Sequence, residues 1–217
     1  MEAAEFARRY PTVWHLTELG SAPSIREHGL LSTSALLDLH GVTGPDRIAA
    51  DSTRRVRAVD LTSAAGCAVL RDQLPMTDRT LAAVLVGMTP TDWYRLLNGK
   101  VFFWVSRARL DRHRAARTNR DRAHDVLTVD TRELLARHGD RVTLSPLNSG
   151  AAFPLSRLPR GRDTFRPLTT FPWEQRRRTA PREPVVELTV EHAVPDVTAF
   201  ATVERLPPAG RPGAGGS

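Results

Sequence analysis

The chain has 217 residues, 41% of them hydrophobic, a single cysteine and a formal net charge of +7. At about 100–200 residues per domain this is one domain, large enough to bury a core without disulfides, and a lone Cys67 excludes both an internal bridge and a cysteine-based zinc site. No apolar run approaches the roughly 20 residues of a membrane span, and the acidic start Met-Glu-Ala-Ala-Glu lacks an apolar signal core. The expectation is a soluble, cytoplasmic protein with no membrane partner.

Glu2 to Arg9 reads as a short helix stopped by Pro11. Thr12 to Leu16 is a β-type run carrying His15. Ser21 or Ser24 caps a helix to His28, which Gly29 ends. Ser32 or Ser34 opens another over Ala35 to Leu39, and Asp46 to Arg57 reads as a polar helix. Apolar spacing predicts helices over Gly66 to Leu74, Asp78 to Val86 and Pro90 to Leu97.

The turn Asn98-Gly99 leads into Val101-Phe-Phe-Trp-Val105, the most strand-like run of the chain. A helix follows over Arg107 to Arg117, then a strand over Asp125 to Val129, a helix over Thr131 to His138 and a strand over Arg141 to Leu144. Residues 145–184 contain seven prolines and read as one long loop. Val185 to Val190 and Val197 to Arg205 read as strands. The class is α+β, with helices mainly in the N-terminal half, as a single domain over 1–206. The Pro/Gly-rich tail, 207–217, is expected to be disordered.

The basic excess is unevenly placed. Lys100 is the only lysine among the 31 basic residues. Arg107 to Arg122 holds seven arginines against Asp111 and Asp121, and Arg157 to Arg182 holds eight against Asp163 and Glu174. Guanidinium forks fit phosphates bidentately, so both blocks suit an anionic partner such as a phosphodiester or a dinucleotide. A solvated arginine surface is the plainer account.

The sequence lacks a Gly-x-Gly-x-x-Gly turn, a P-loop lysine, His-Glu-x-x-His, Gly-x-Ser-x-Gly and Cys-x-x-Cys, and its seven histidines show no metal-ligand spacing. Rossmann hydride transfer, NTP hydrolysis, metalloprotease and α/β-hydrolase chemistry are disfavoured, and no metal is expected. Two strands nevertheless carry a polar residue where a core strand prefers an apolar one. In Val13-Trp-His-Leu-Thr17, His15 and Thr17 share one face and offer two hydrogen-bonding groups to a sugar hydroxyl. In Val185-Val-Glu-Leu-Thr-Val190, Glu187 stands between apolar neighbours, where a carboxylate is costly unless paired or used.

The stretch from Val13 to Leu31, with its strand-borne His-x-Thr, helix and Gly-Leu turn, resembles the opening of the DarT-type ADP-ribosyltransferases. Val186-Glu-Leu-Thr-Val-Glu-His-Ala-Val-Pro195 resembles their closing segment, and Val101-Phe-Phe-Trp104 their central aromatic strand. Over residues 8 to 205 the chain also resembles a set of uncharacterised bacterial proteins. These share Arg71-Asp-Gln73, Leu97-Asn98, Val101-Phe-Phe-Trp104, Leu144-Ser-Pro-x-Asn-x-Gly150 and Arg160-Gly-Arg-x-x-Phe165.

The resemblance implies a split-β-sheet ADP-ribosyltransferase core that takes NAD as co-substrate and breaks its nicotinamide–ribose bond. Glu187 would then be the catalytic carboxylate, with His15 and Thr17 holding the ribose. Arg54 and Arg55 lie where those enzymes carry a functional arginine, and the sequence leaves both open. Phe103 is implied as a ring beside nicotinamide, although core packing is its simpler role. Asn148 falls in an implied ligand-facing loop. Arg160 and Arg162 could grip substrate or lie on a solvated loop, and Trp173, among arginines, could stack on a base, although a loop anchored by its own aromatics is the plainer account. The acceptor implied is DNA or RNA, and a toxin-like member would have an antidote protein that this sequence does not identify. The alternative function is a catalytically silent nucleotide- or nucleic-acid-binding module on the same fold.

Overall fold

The computed structural model describes residues 1–152 and 158–210; Arg157 of the second basic block and positions 211–217 of the expected tail lie outside them. The chain starts with helix α1 (Ala3–Arg9), strand β1 (Thr12–Glu18) and helix α2 (Ala22–His28). Gly29, at φ +76°, turns it into the short strand β2 (Leu30–Leu31). Helix α3 (Thr33–Leu39) is capped by Ser32, whose Oγ accepts from the Ala35 N–H at 3.2 Å. Helix α4 (Gly44–Ser52) follows, and then the hairpin β3 (Val59–Ser63) and β4 (Gly66–Leu70).

Helix α5 (Asp78–Ala82) precedes helix α6 (Pro90–Asn98), where Thr89 and Asp92 form a reciprocal capping box behind Pro90. Strand β5 (Lys100–Trp104), helix α7 (Arg107–Ala115), strand β6 (His124–Asp130), helix α8 (Thr131–His138) and strand β7 (Val142–Ser145) come next. Helix α9 (Trp173–Thr179) precedes strands β8 (Glu187–Glu191), β9 (Ala193–Val194) and β10 (Ala201–Leu206).

Six strands form one antiparallel sheet in the order β10-β6-β1-β5-β8-β7, so the class is α+β. Six of the nine α-helices among the described residues precede β5. The main core contains Val13, Phe103, Leu127, Val129, Leu188 and Val190 from the sheet, with Phe6, Leu134 and Trp173 from α1, α8 and α9. A second cluster joins Trp93, Tyr94 and Leu97 of α6 to Met76, Leu81 and Phe165.

Two expectations fail here. Gly66 to Leu74 is not a helix. Its first five residues pair with Val59–Ser63, from Val59↔Leu70 to Ser63↔Gly66, and Gly66 at φ +91° makes the turn. The apolar spacing fits either period, and the partner strand decides. The long loop of 145–184 also contains a helix, since no proline or glycine interrupts Trp173–Thr179.

The ladders position the site. β5 and β8 pair along their full length, from Lys100↔Glu191 to Trp104↔Glu187. β1 and β5 are in register only at Trp14↔Trp104, and beyond that pair the sheet opens.

Candidate functional site

A cavity of about 370 Å³ occupies that opening, within the usual range of small-ligand sites. β1 brings His15 and Thr17, β5 brings Phe102 and Phe103, and β8 brings Glu187. Pleat parity pairs Trp14, Trp104 and Glu187 across three strands, which leaves His15 on the opposite parity. His15 and Glu187 reach one cavity because the ladder has parted between them.

His15 spans the opening. Its Nδ1 lies 2.8 Å from the Phe102 carbonyl, and a carbonyl only accepts, so Nδ1 carries the proton and the neutral ring keeps Nε2 as an acceptor. Burial lowers the His15 pKa to about 4; Arg71 adds to this and the Phe102 bond opposes it. The ring meets Phe103 edge-on at 5.8 Å.

Glu187 is 4% exposed. The Ser149 backbone N–H donates to both carboxylate oxygens at 3.2 Å. Burial pushes its pKa up to about 7, while Ser149 and the cations Arg109 and Arg160 pull the other way. Ser149 is held by a fixed loop. The Val186 N–H donates to the Ser145 carbonyl at 2.9 Å, and the Ser145 hydroxyl donates to the Leu147 carbonyl at 2.7 Å.

The two arginines left open by the sequence separate in the structure. Arg55 lines the cavity and is buried. Its guanidinium donates to the carbonyls of Arg71 (3.0 Å) and Ala50 and to Asn98 Oδ1 (3.1 Å). Burial lowers its pKa to about 10. Arg54 lies off the cavity, donating to the Leu74 carbonyl at 2.9 Å. Asn148 and Phe103 line the cavity.

The residues expected to bind substrate do not meet there. Arg160 sits in a neighbouring cleft, with its Nη2 donating to the Ala151 carbonyl at 2.6 Å, and exposed Arg162 opens a short 3₁₀ turn outside the cavity. Trp173 takes the plainer of its two readings, an aromatic anchor, and the base-stacking expectation fails. Its ring is buried between Phe171 (4.7 Å) and Phe6 (6.0 Å), and its Nε1–H donates to the Leu168 carbonyl, so it serves the core. Glu191, half-exposed at the end of β8, forms an ion pair with buried Lys100.

Sequence reasoning gave Arg71 no role, yet its guanidinium lies at the cavity, 3.0 Å from Glu18 Oε1 and 2.7 Å from Asn119 Oδ1. Gln73 Oε1 accepts from the Arg55 N–H at 3.1 Å. The available signal was the company these residues keep: Arg71-Asp-Gln73 and Leu97-Asn98 converge on Arg55. Among the described residues no group of three His, Cys, Asp or Glu side chains could hold a metal ion, and no described helix is long and apolar enough to cross a membrane.

A family model described as a family of unknown function, DUF7002, matches residues 11–201. No curated protein and no solved structure matches the chain.

Proposed function

We propose that this chain, which belongs to the DUF7002 family, is an ADP-ribosyltransferase that takes NAD as co-substrate in the cavity between β1 and β5. The observation that carries the reading is the joint presence there of a buried Glu187 carboxylate and a neutral His15 acceptor. The resemblance at the two ends of the chain points the same way, and the parted β1–β5 ladder suits a split-sheet core.

The chemistry follows from the two groups. Cleaving the nicotinamide–ribose bond sends the bonding pair to the pyridinium nitrogen, which becomes neutral, and leaves positive charge on the ribose carbon. An ionised Glu187 stabilises that charge and takes the proton of the incoming nucleophile as the new bond to carbon forms. A pKa near 7 keeps it a usable base at neutral pH. His15 Nε2 accepts from a ribose hydroxyl and Thr17 adds a second polar contact, so both fix the sugar and neither reacts. Arg71 supplies positive charge at the cavity for the diphosphate.

A nucleic-acid base is the acceptor we favour. Within the first basic block Arg107, Arg109, Arg114, Arg120 and Arg122 pair with acids, while exposed Arg112 and Arg117 form no ion pair among the described residues. They are free to meet phosphate.

The test is NAD consumption by wild type and Glu187→Gln, with and without DNA, RNA or cell extract. Acceptor-dependent turnover that falls by about 100-fold or more in the variant supports the reading. Absence of NAD binding refutes it, and salt-sensitive nucleic-acid binding without turnover would instead support a silent binding module.

A further inference from the structure

Behind the loop that carries Ser149 lies a second cleft of about 550 Å³, which shares only Asn148 and Ala151 with the first cavity. Among the described residues four arginines enter it: Arg109 from α7, Arg160, Arg176 from α9, and Arg182. The one acid among the described residues on its walls is Glu183, which is ion-paired with Arg109. Arg176 spends its donors on carbonyls, Nε to Pro184 and Nη2 to Pro146, both at 3.1 Å. Its positive charge is partly buried with no carboxylate against it among the described residues, and burial lowers its pKa. Arg182 is exposed and forms no hydrogen bond or ion pair among the described residues. Leu147, Leu158, Pro181 and Val186 add apolar surface to the wall.

A concave site of this size, bearing several cations, one acid and apolar walls, has the composition of a binding pocket for an anion with an apolar body. Guanidinium forks suit phosphate because two parallel N–H bonds match two phosphate oxygens. We propose that this cleft binds a small phosphate monoester, with the phosphate between Arg182 and Arg109 and the organic body against Leu147 and Val186. The site is distinct from the cavity between β1 and β5, and the binding does not depend on the NAD reading. It does stand close to Glu187, since Arg109 and Arg160 act on that carboxylate and Arg176 and Arg160 hold Pro146 and Ala151 at the two ends of the loop carrying Ser149.

Calorimetric titration of the full chain with inorganic phosphate, phenyl phosphate and phenol, at constant ionic strength, tests this. Phenyl phosphate should bind most tightly, phosphate more weakly, and phenol not at all. Arg182→Gln should weaken phenyl phosphate by about tenfold, the loss of one charge-assisted contact, with an unchanged melting temperature in its absence. Arg132→Gln, an exposed arginine on α8, should leave binding as it is. Equal weakening by Arg182→Gln and Arg132→Gln would mean diffuse attraction to a basic protein and overturn the proposal. So would binding lost in His15→Gln but kept in Arg182→Gln, which would place the ligand in the first cavity. Glu187→Gln should lose turnover and keep phenyl phosphate, so failure of the NAD reading and failure of this one are separately visible.

Discussion

The imidazole of His15 donates its Nδ1–H to the carbonyl of Phe102 at 2.8 Å, across the gap where β1 and β5 part. One bond thus satisfies a carbonyl that the sheet has left without a strand partner and fixes the ring with Nε2 toward the cavity. The ring stays neutral down to about pH 4, so nitrogen-15 NMR at pH 6 should show the Nδ1–H tautomer, and a charged ring there would contradict the geometry. Free histidine titrates near 6.5, and the folded value lies below it. The stability that neutral His15 contributes is therefore complete above pH 6.5 and lost as pH falls through 4. Urea unfolding should show His15→Gln losing about 3 kcal/mol less than wild type across that interval.

Glu187 runs the other way. Its folded pKa, about 7, exceeds the ordinary 4.5, so folding takes up a proton between those values. The burial costs nothing below pH 4.5, and stability is lost as pH rises through 7. A gap of this size is worth about 3 kcal/mol. Glu187→Gln, which keeps the shape and can still accept from the Ser149 N–H, should therefore be about 3 kcal/mol more stable than wild type at pH 8 and equal to it at pH 4. Equal stability at both pH values would mean the carboxylate is not buried as described.

Arg55 and Arg54 should behave as unlike residues despite adjoining in sequence. Removing Arg55 leaves the carbonyls of Ala50 and Arg71 without this donor in a buried site, and Asn98 Oδ1 with only the long 3.5 Å bond from Gln73 Nε2, and we expect Arg55→Ala to cost about 3 kcal/mol or more. Arg55→Lys should not rescue it, because an ammonium cannot reach three acceptors spread around a planar fork. Arg54→Ala gives up one bond to Leu74, worth about 1 kcal/mol. Denaturation midpoints of the three variants decide the order.

Cys67 gives a probe of the cavity. It is exposed on β4, lines the same opening as His15 and Glu187, and is the only thiol. Iodoacetamide should label it in the free protein, and saturating NAD should slow the labelling by roughly tenfold or more by occlusion, in Glu187→Gln as well as in wild type. An unchanged rate with NAD would place the nucleotide elsewhere.

What the sequence made legible follows a physical pattern. His15, Thr17 and Glu187 stand out because each interrupts an apolar strand, a local signal. Arg71, Asn98 and Gln73 do not, because what defines them is a set of partners 16 to 48 residues away that only folding assembles. Trp173 misleads for a related reason. Among arginines it looks like a base-stacking ring, yet the same aromatic area is worth more in the core beside Phe6 and Phe171. The hairpin of β3 and β4 is hidden because its apolar spacing admits a helix until Val59–Ser63 arrives as a partner.

Gly29 shows how tightly one wall of the cavity is built. At φ +76° it adopts a conformation that side chains disfavour, and an added Cβ would fall 2.3 Å from the Pro195 Cα and 2.6 Å from its carbonyl oxygen. Both are backbone atoms, so no side-chain rotation relieves the clash. Gly29 leads directly into β2, which pairs Leu30 with Val194 and Leu31 with Ala193, and the Ser32 N–H then donates to the His192 carbonyl at 2.9 Å. Gly29→Ala must push this pairing apart at a cost of about 2–4 kcal/mol. Because Leu30, Leu31 and Ser32 line the cavity, the substitution should also weaken NAD binding, whereas Gly20→Ala, with φ +89° but open space around it, should carry only the conformational part, about 1 kcal/mol. Melting temperatures measured beside NAD affinity for the two variants separate strain from loss of the wall.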